Sequence, residues 1–172
     1  MKEMIRYGLI LSLICLVAAG LLAGVNSVTR NRIIAQAQAE ENAGLKEALP
    51  QAASFEAVES SDNEVIYYRA LDNRGKVIGV TFKAQGKGYS GTVETLAGML
   101  EDGTITAIKV IAQNETPGVG SKIAEPKFTE QFKDKTSLEG VQAITGATIS
   151  SRAVIDSVKK KAEEIKGMLK NE

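Results

Sequence analysis

The chain begins with a long apolar stretch that contains no charged residue. Residues from Tyr7 to Val28 are mostly Leu, Ile, Val, Ala and Gly. At 1.5 Å per residue, a helix of this length crosses a hydrocarbon core of about 30 Å. A cleaved signal peptide has a shorter apolar core, of about 7–15 residues. The pattern therefore predicts one membrane-spanning helix, and we assign residues 1–28 to an N-terminal anchor.

Polar, helix-favouring residues follow this apolar run. The segment from Asn31 to Leu49 is rich in Ala, Gln and Glu, and Pro50 comes directly after it. These residue types have high helix propensity, whereas proline cannot continue a helix. We therefore predict a connector helix within residues 29–50.

Beyond residue 50 the helical pattern gives way to strand-forming runs. Those from Glu64 to Leu71 and from Lys76 to Lys83 are separated by D-N-R-G, which predicts a hairpin with Gly75 at positive φ. Two further runs, from Thr92 to Leu100 and from Thr104 to Ile111, flank the turn E-D-G. Because consecutive strands joined by tight turns are antiparallel, this part of the chain predicts an antiparallel sheet.

Two glycine-rich loops interrupt the strand pattern. Residues 86–91 (G-K-G-Y-S-G) formally match the dinucleotide-binding pattern G-x-G-x-x-G, but strand formers follow them instead of a long helix. We therefore interpret them as the loop that opens the second hairpin. Residues 115–120 (E-T-P-G-V-G) follow a predicted strand, and Pro117 and Gly118 suit the two corners of a type II turn. They predict a sharp, rigid loop.

The last part of the chain combines a turn of small residues with an amphipathic helix. From Ser151 to about Leu169, apolar residues recur every three or four positions, which predicts a helix with one buried stripe. The preceding residues 145–151 (T-G-A-T-I-S-S) contain small residues and a candidate N-cap, Ser150 or Ser151. The free N–H groups at such a helix start favour an anion such as phosphate. An ordinary tight turn with a helix cap is the alternative interpretation.

Composition narrows the classes of function. The 172 residues are 44% hydrophobic, which suits one domain of ordinary size with a small extra segment. The 21 basic and 21 acidic residues cancel, so the chain lacks the basic character that nucleic-acid binding requires. It has no His and one Cys, Cys15, which excludes His-based catalysis and ordinary zinc or iron–sulfur sites within this chain. Redox chemistry would need a bound organic cofactor.

Two of these loops resemble signatures of one family. T-G-A-T at residues 145–148 is similar to the S/T-G-A-T attachment motif of the FMN-binding domain found in the G subunit of the Rnf electron-transport complex and the C subunit of the sodium-pumping NADH:quinone reductase. E-T-P-G-V-G is similar to a second signature of this family. In the family, the last Thr of the motif carries FMN through a phosphoester bond made by a flavin transferase. By resemblance that residue is Thr148, and Gln142 stands where the motif usually begins with Asp.

The resemblance implies a fold class and a topology. We expect an α+β protein in which a single N-terminal transmembrane helix precedes a compact FMN-binding domain, residues 51–172, with a mainly antiparallel sheet and flanking helices. Basic residues flank both ends of the apolar run, Lys2 and Arg6 on one side and Arg30 and Arg32 on the other, so charge alone does not orient it. The family places its flavin domain outside the cytoplasm, which implies a cytoplasmic N-terminus and a location in the cell membrane.

The same reasoning predicts a set of cofactor-binding residues around Thr148. The phosphate is expected to contact the turn that carries Thr148, the loop at residues 115–120 is expected to form the inner wall of the flavin site, and one basic residue is expected to add positive charge. Besides Thr148, the predicted residues are Thr145, Gly146, Ala147, Ser150, Glu115, Thr116, Gly118, Val119, Gly120 and Lys122.

By resemblance the chain is an electron relay. It is expected to carry covalent FMN within a membrane-bound, ion-translocating ferredoxin:NAD oxidoreductase, with the other subunits and a flavin transferase as partners. Its short length favours the Rnf G subunit over the longer C subunit of the quinone reductase. The alternative is a membrane-anchored extracytoplasmic binding or scaffolding domain without a cofactor. A serine hydrolase that uses Ser90 or Ser150 with a His base is excluded, because the sequence has no His and neither Ser lies in a G-x-S-x-G elbow, which leaves only a Ser-Lys variant of this class open.

Overall fold

The computed structural model describes residues 2–60 and 64–170. A long helix comes first, five strands follow it, and shorter helices and a second long helix complete the chain. In order, the elements are α1 (Lys2–Ala48), β1 (Ser54–Glu59), β2 (Val65–Leu71), β3 (Val77–Lys87), β4 (Thr92–Leu100), β5 (Ile105–Ala112), α2 (Pro126–Thr129) and α3 (Thr148–Leu169). Two short 3₁₀ helices, Gly120–Ala124 and Glu130–Phe132, flank α2.

Helix α1 contains the predicted membrane span. Its part from Glu3 to Arg30 is long and apolar enough to cross a membrane, and none of its most apolar window is buried within the structure. The helix continues to Ala48 and ends before Pro50, as the sequence predicts. The chain divides into two compact units at Glu40 and Glu41. The last turns of α1 therefore belong to the second unit.

The five strands form one antiparallel sheet in the order β1-β2-β3-β4-β5. Gly75 and Gly103 occupy the predicted turns with φ values of 76° and 86°. The predicted α+β class is confirmed, with an apolar helix followed by an antiparallel sheet and helices. Strand β1, at one edge, does not follow from the sequence pattern, because four of its six residues are exposed and its alternation is weak.

Helix α3 packs on one face of the sheet and forms the main core with it. The stripe predicted for this helix is buried, with Val154, Val158 and Ile165 at 0% exposure. These side chains meet Phe82 of β3 and other apolar residues of the sheet. At Gly86, a Cβ atom would collide with the backbone of Ala153, so a glycine allows β3 and α3 to approach closely here. This contact fixes the first turns of α3 against the sheet.

The last turns of α1 cover the opposite face. Ala48 is fully buried, and its carbonyl oxygen accepts a hydrogen bond of 2.5 Å from the Thr106 hydroxyl. The Tyr68 hydroxyl donates to Glu41 at 3.0 Å, and burial together with this carboxylate raises the pKa of Tyr68 to about 12. Lys83 pairs with the same carboxylate at 3.3 Å. The sheet of the second unit is thus covered by helix on both faces.

Candidate functional site

Three loops of the second unit meet around a cleft of about 330 Å³. They are the turn between β3 and β4, the loop at residues 115–120, and the turn that leads into α3. Because these loops are far apart in sequence, only the folded sheet and α3 bring them together. The cleft is lined by Tyr89, Glu115, Thr116, Val119, Gly120, Gly146, Ala147, Thr148, Ile149 and Ser150. The two loops that resemble family signatures therefore face the same space.

The start of α3 differs from the expected serine cap. The helix begins at Thr148, its N-cap residue is Ala147, and no side chain caps it. Ser150 and Ser151 lie within the first turn and are 2% and 0% exposed, so the prediction that one of them is the N-cap is wrong. The physical reason is that Ser151 closes the turn from inside. Its hydroxyl donates to the carbonyl of Ala147 at 2.9 Å and accepts the N–H of Ile144 at 3.0 Å.

This arrangement leaves free donors at the helix start. The Ser151 N–H donates to the Ala147 carbonyl at 2.9 Å, which is the first hydrogen bond of the helix. The N–H groups of residues 148–150 come before it and have no carbonyl partner within the helix. They coincide with the positive end of the helix dipole. The Thr148 side chain is exposed at this point, so its hydroxyl is accessible from the cleft.

The loop at residues 115–120 has the predicted turn. Gly118 has a φ of 74°, as the second corner of a type II turn requires, and the Val119 N–H donates to the Thr116 carbonyl at 3.2 Å. The N–H of Gly118 donates to the Ser121 hydroxyl at 2.9 Å. This N–H group is therefore used inside the loop and does not point at a ligand.

Glu115 joins the three loops. Its carboxylate accepts hydrogen bonds from the Ser90 N–H at 3.0 Å, the Tyr89 N–H at 3.3 Å and the Ser150 hydroxyl at 2.5 Å. A Cβ atom at Gly120 would lie 2.8 Å from this carboxylate and 3.0 Å from the Ser150 hydroxyl, so a glycine is needed to seat the loop. Glu115 is only 5% exposed. It is the residue that holds the cleft in shape.

The Glu115 carboxyl is ionised at neutral pH. Burial alone would raise its pKa, but the hydrogen bonds from the Ser150 hydroxyl and from backbone N–H groups outweigh this effect and lower the pKa below its ordinary value of 4.5. The negative charge is thus stabilised by donors from the other two loops.

Acidification is expected to weaken the second unit through Glu115. Because its pKa is lower in the folded state, its contribution to the free energy of unfolding is complete above pH 4.5 and is lost as the pH falls through the lowered value. Chemical denaturation between neutral pH and about pH 3 should show a steeper loss of stability for the wild type than for Glu115→Gln. Equal slopes for the two proteins would contradict this role of Glu115.

Most of the predicted site residues lie in the cleft. Eight of the eleven line it, namely Glu115, Thr116, Val119, Gly120, Gly146, Ala147, Thr148 and Ser150. Gly118 forms the corner of its loop and does not line the cleft. Thr145 and Lys122 line a second cleft of about 420 Å³, together with Phe128, Gln131 and Gln142. The structure therefore does not bring Lys122 and Thr148 into one cavity.

Two lining residues are absent from the sequence prediction. Tyr89 is 74% exposed and Ile149 is 55% exposed, and with Val119 at 45% they give the cleft an apolar rim. Sequence signals for both exist. Tyr89 is an aromatic residue in a glycine-rich turn, and Ile149 lies outside the buried stripe of α3. Exposed apolar side chains gathered around one opening are typical of a binding surface.

Comparison with known proteins gives consistent matches. Residues 88–163 match the family model described as FMN-binding domain, and residues 1–48 match the one described as RnfG N-terminal region. The chain is 39% identical to the G subunit of the ion-translocating oxidoreductase complex of Methanosarcina acetivorans, over 91% of this chain and 92% of that protein. It is 38% identical to the G subunit of the Na⁺-translocating ferredoxin:NAD⁺ oxidoreductase complex of Acetobacterium woodii, over 91% of this chain and 89% of that protein. Among solved structures, it matches Shewanella oneidensis NqrC with 19% identity and a TM-score of 0.48, over 70% of this chain and 74% of that one.

Proposed function

Because the chain belongs to the family of G subunits of ion-translocating oxidoreductase complexes, we propose that it relays electrons through an FMN bound covalently to Thr148. The observation that carries this proposal is that the loop at residues 115–120 and the Thr148 turn line one cleft. The chain itself supplies no His and only one Cys, so the relay depends on a cofactor. FMN, when bound, supplies electron transfer.

The choice of Thr148 rests on the state of the neighbouring hydroxyl groups. Ser150 and Ser151 are buried, and each donates its hydroxyl proton to a partner inside the protein. The Thr148 side chain is exposed and lines the cleft, whereas the exposed Thr145 lines the second cleft. A phosphoester on Thr148 therefore places its phosphate at the start of α3 and disturbs none of the side-chain hydrogen bonds seen in the described part of the chain.

The cleft fits the parts of FMN. The N–H groups of residues 148–150, which have no carbonyl partner within the helix, and the helix dipole favour the phosphate. The apolar rim formed by Tyr89, Val119 and Ile149 suits an aromatic ring system. At Gly146, which lines the cleft, no atom of the described residues other than its chain neighbours lies within 4 Å of the Cβ position, so this turn leaves open space where a side chain would project. The volume of about 330 Å³ is within the usual range for ligand sites.

The residues of the chain have separate tasks in this proposal. Thr148 holds the cofactor covalently, so a domain outside the cytoplasm retains its FMN even where no free FMN is present to replace it. Glu115 fixes the three loops, and the apolar rim limits the access of water while leaving one side of the cleft open to partners. Ser150 acts on the phosphate through its backbone N–H, because its hydroxyl donates to Glu115. Thr145 and Lys122 border the same turn from the second cleft.

Partners and topology follow from this role. The chain is anchored in the membrane by α1, exchanges electrons with other subunits of the complex, and receives FMN from a flavin transferase. We place the N-terminus in the cytoplasm and residues 51–172 outside it. Gln142, at the position where the attachment motif usually begins with Asp, is exposed and accessible to the transferase.

Fluorescence tests the proposed function. The full-length chain, expressed together with a flavin transferase, should give a flavin-fluorescent band that survives denaturing electrophoresis, since a covalent bond persists when the fold is lost. A protein that lacks this band, although the same transferase modifies another substrate, would instead support a domain without a cofactor.

Replacing Gly118 with valine should change the flavin's surroundings without removing it. A β-branched residue is strained at a φ of 74°, by roughly 1–2 kcal/mol, so the loop is expected to move. Covalent FMN should remain, because Thr148 is intact, and its reduction potential or electron-transfer rate should change. Gly140→Val is the matched control, since Gly140 is exposed and, apart from its chain neighbours, no atom of the described residues lies within 4 Å of its Cβ position. If Gly118→Val behaves like the control in both measurements, the loop does not form a wall of the flavin site.

A further inference from the structure

Glu115 is a buried negative charge for which the described part of the chain shows no ion pair. It is 5% exposed, and its donors, the Ser150 hydroxyl and the backbone N–H groups of residues 89–91, are neutral groups. Among the described residues, no Lys or Arg forms an ion pair with it. Neutral donors stabilise a carboxylate but do not cancel its charge. Among the residues that line the cleft, Glu115 therefore carries the formal charge, which is negative.

This charge lies where water screens it weakly. Charges in a protein interior interact more strongly than charges at the surface, and salt screens buried groups much less than exposed ones. Glu115 lines the same cleft as Thr148, and its carboxylate is bound to Ser150, two positions further along α3. A ring system tethered to Thr148 inside this cleft lies within the field of the carboxylate.

We infer that Glu115 lowers the reduction potential of the flavin held in this cleft, in addition to fixing its walls. The inference rests on the proposed attachment of FMN to Thr148. Reduction by two electrons with uptake of one proton adds one net negative charge to the flavin ring, and a nearby carboxylate opposes that charge. The electrons come from the reductant and the proton from water, and Glu115 itself is neither oxidised nor reduced.

A redox titration tests this inference. The full-length chain, flavinylated by co-expression with a transferase, is titrated in detergent at neutral pH with dithionite, which is oxidised to sulfite. In Glu115→Gln the amide keeps the shape and removes the charge. Its NH2 group can donate to the Ser150 oxygen and its oxygen can accept the Ser90 N–H, while the weaker bond from the Tyr89 N–H, at 3.3 Å, is lost. We expect its equilibrium constant for reduction to rise about tenfold, a positive shift of about 30 mV for a two-electron couple.

Two further variants separate charge from structure. Glu101→Gln removes an exposed carboxylate far from the cleft. Glu101 lies beside the turn at Gly103, which contacts Lys166, and Lys166 is about 27 Å along α3 from Thr148. The flavin of this variant should therefore have the wild-type reduction potential. Ser150→Ala removes a donor but keeps the Glu115 charge, so its potential should fall below that of the wild type. A loosened cleft with no effect of charge predicts the same positive shift in Ser150→Ala as in Glu115→Gln.

The outcomes distinguish the inference from the proposed function. A flavinylated Glu115→Gln protein with the wild-type potential would overturn the inference and leave the attachment to Thr148 intact. If Glu115→Gln does not fold, Ser150→Ala decides, because a potential equal to or above that of the wild type would overturn the inference. A wild-type chain without covalent flavin would overturn the proposed function and the inference with it.

Discussion

Replacing Thr148 with alanine is expected to abolish covalent FMN completely while the domain stays folded. Among residues 145–151, which lead into α3 and are all described, Thr148 carries the only exposed hydroxyl group that lines the cleft. The hydrogen bonds that hold this turn come from Ser151, so the substitution leaves them in place. Intact mass and in-gel flavin fluorescence of the co-expressed variant measure the loss.

Two variants control this experiment. Thr148→Ser keeps a hydroxyl group at the same position and should retain FMN. Thr136→Ala makes the same substitution at an exposed threonine that lines neither cleft, and it should be flavinylated like the wild type. A Thr148→Ala protein that still carried flavin through denaturation would show that another residue is the attachment point.

Replacing Phe132 with alanine is expected to destabilise the second unit by about 3–5 kcal/mol. Phe132 is fully buried, and its ring meets that of Phe128 edge to face at a centroid distance of 5.4 Å. The substitution removes an aromatic pair and leaves a cavity between the short helices and the sheet. Because whole domains are stable by only about 5–15 kcal/mol, a lowering of Tm by roughly 10 °C or more is expected.

Phe55→Ala is the matched control for this prediction. Phe55 is half-buried on β1 and packs on the smaller cluster around Leu49, Ala52 and Ala70. Because the Phe55→Ala substitution removes less buried apolar area, the Tm of this variant should fall by clearly less than that of Phe132→Ala. Equal shifts, measured on the full-length chain in detergent, would mean that Phe132 does not belong to the main core.

The regular part of the fold can be predicted from the sequence because its signals are local. The apolar run, the Ala-rich continuation to Pro50 and the buried stripe of α3 each depend on periodicity within one segment. The hairpin turns depend on glycines that adopt positive φ, as Gly75 and Gly103 do. Strand β1 escapes prediction because it lies at the sheet edge, where one side of the strand has no neighbour and exposed residues dilute the alternation.

The start of α3 shows a limit of local reasoning. Serine is a good N-cap in general, which makes Ser150 and Ser151 natural candidates. In the structure both hydroxyl groups form buried hydrogen bonds instead, one with Glu115 and one with Ala147. The Glu115 bond joins residues 35 positions apart, and no local pattern specifies it. A tertiary contact therefore engages the Ser150 hydroxyl, whereas Ser151 is engaged by a bond within the turn itself.

The sequence predicts the two loops of the candidate site, but it does not predict how they are arranged. The two loops are informative as family signatures, but neither predicts from its own chemistry that it meets the other. Their meeting, the position of Glu115 between them, and the apolar rim that includes Tyr89 and Ile149 all require the folded sheet. The same fold places Lys122 and Thr148 in different clefts, although the sequence predicts that both contact the cofactor.

Peptide mapping of the flavinylated protein tests most directly whether Thr148 carries the flavin. The full-length chain is expressed with a flavin transferase, its intact mass is measured, and the peptide that spans residues 143–152 is sequenced by mass spectrometry. We expect an added mass of FMN minus water on Thr148. An unmodified Thr148, or FMN on a different residue, while the transferase modifies a known substrate, would contradict it.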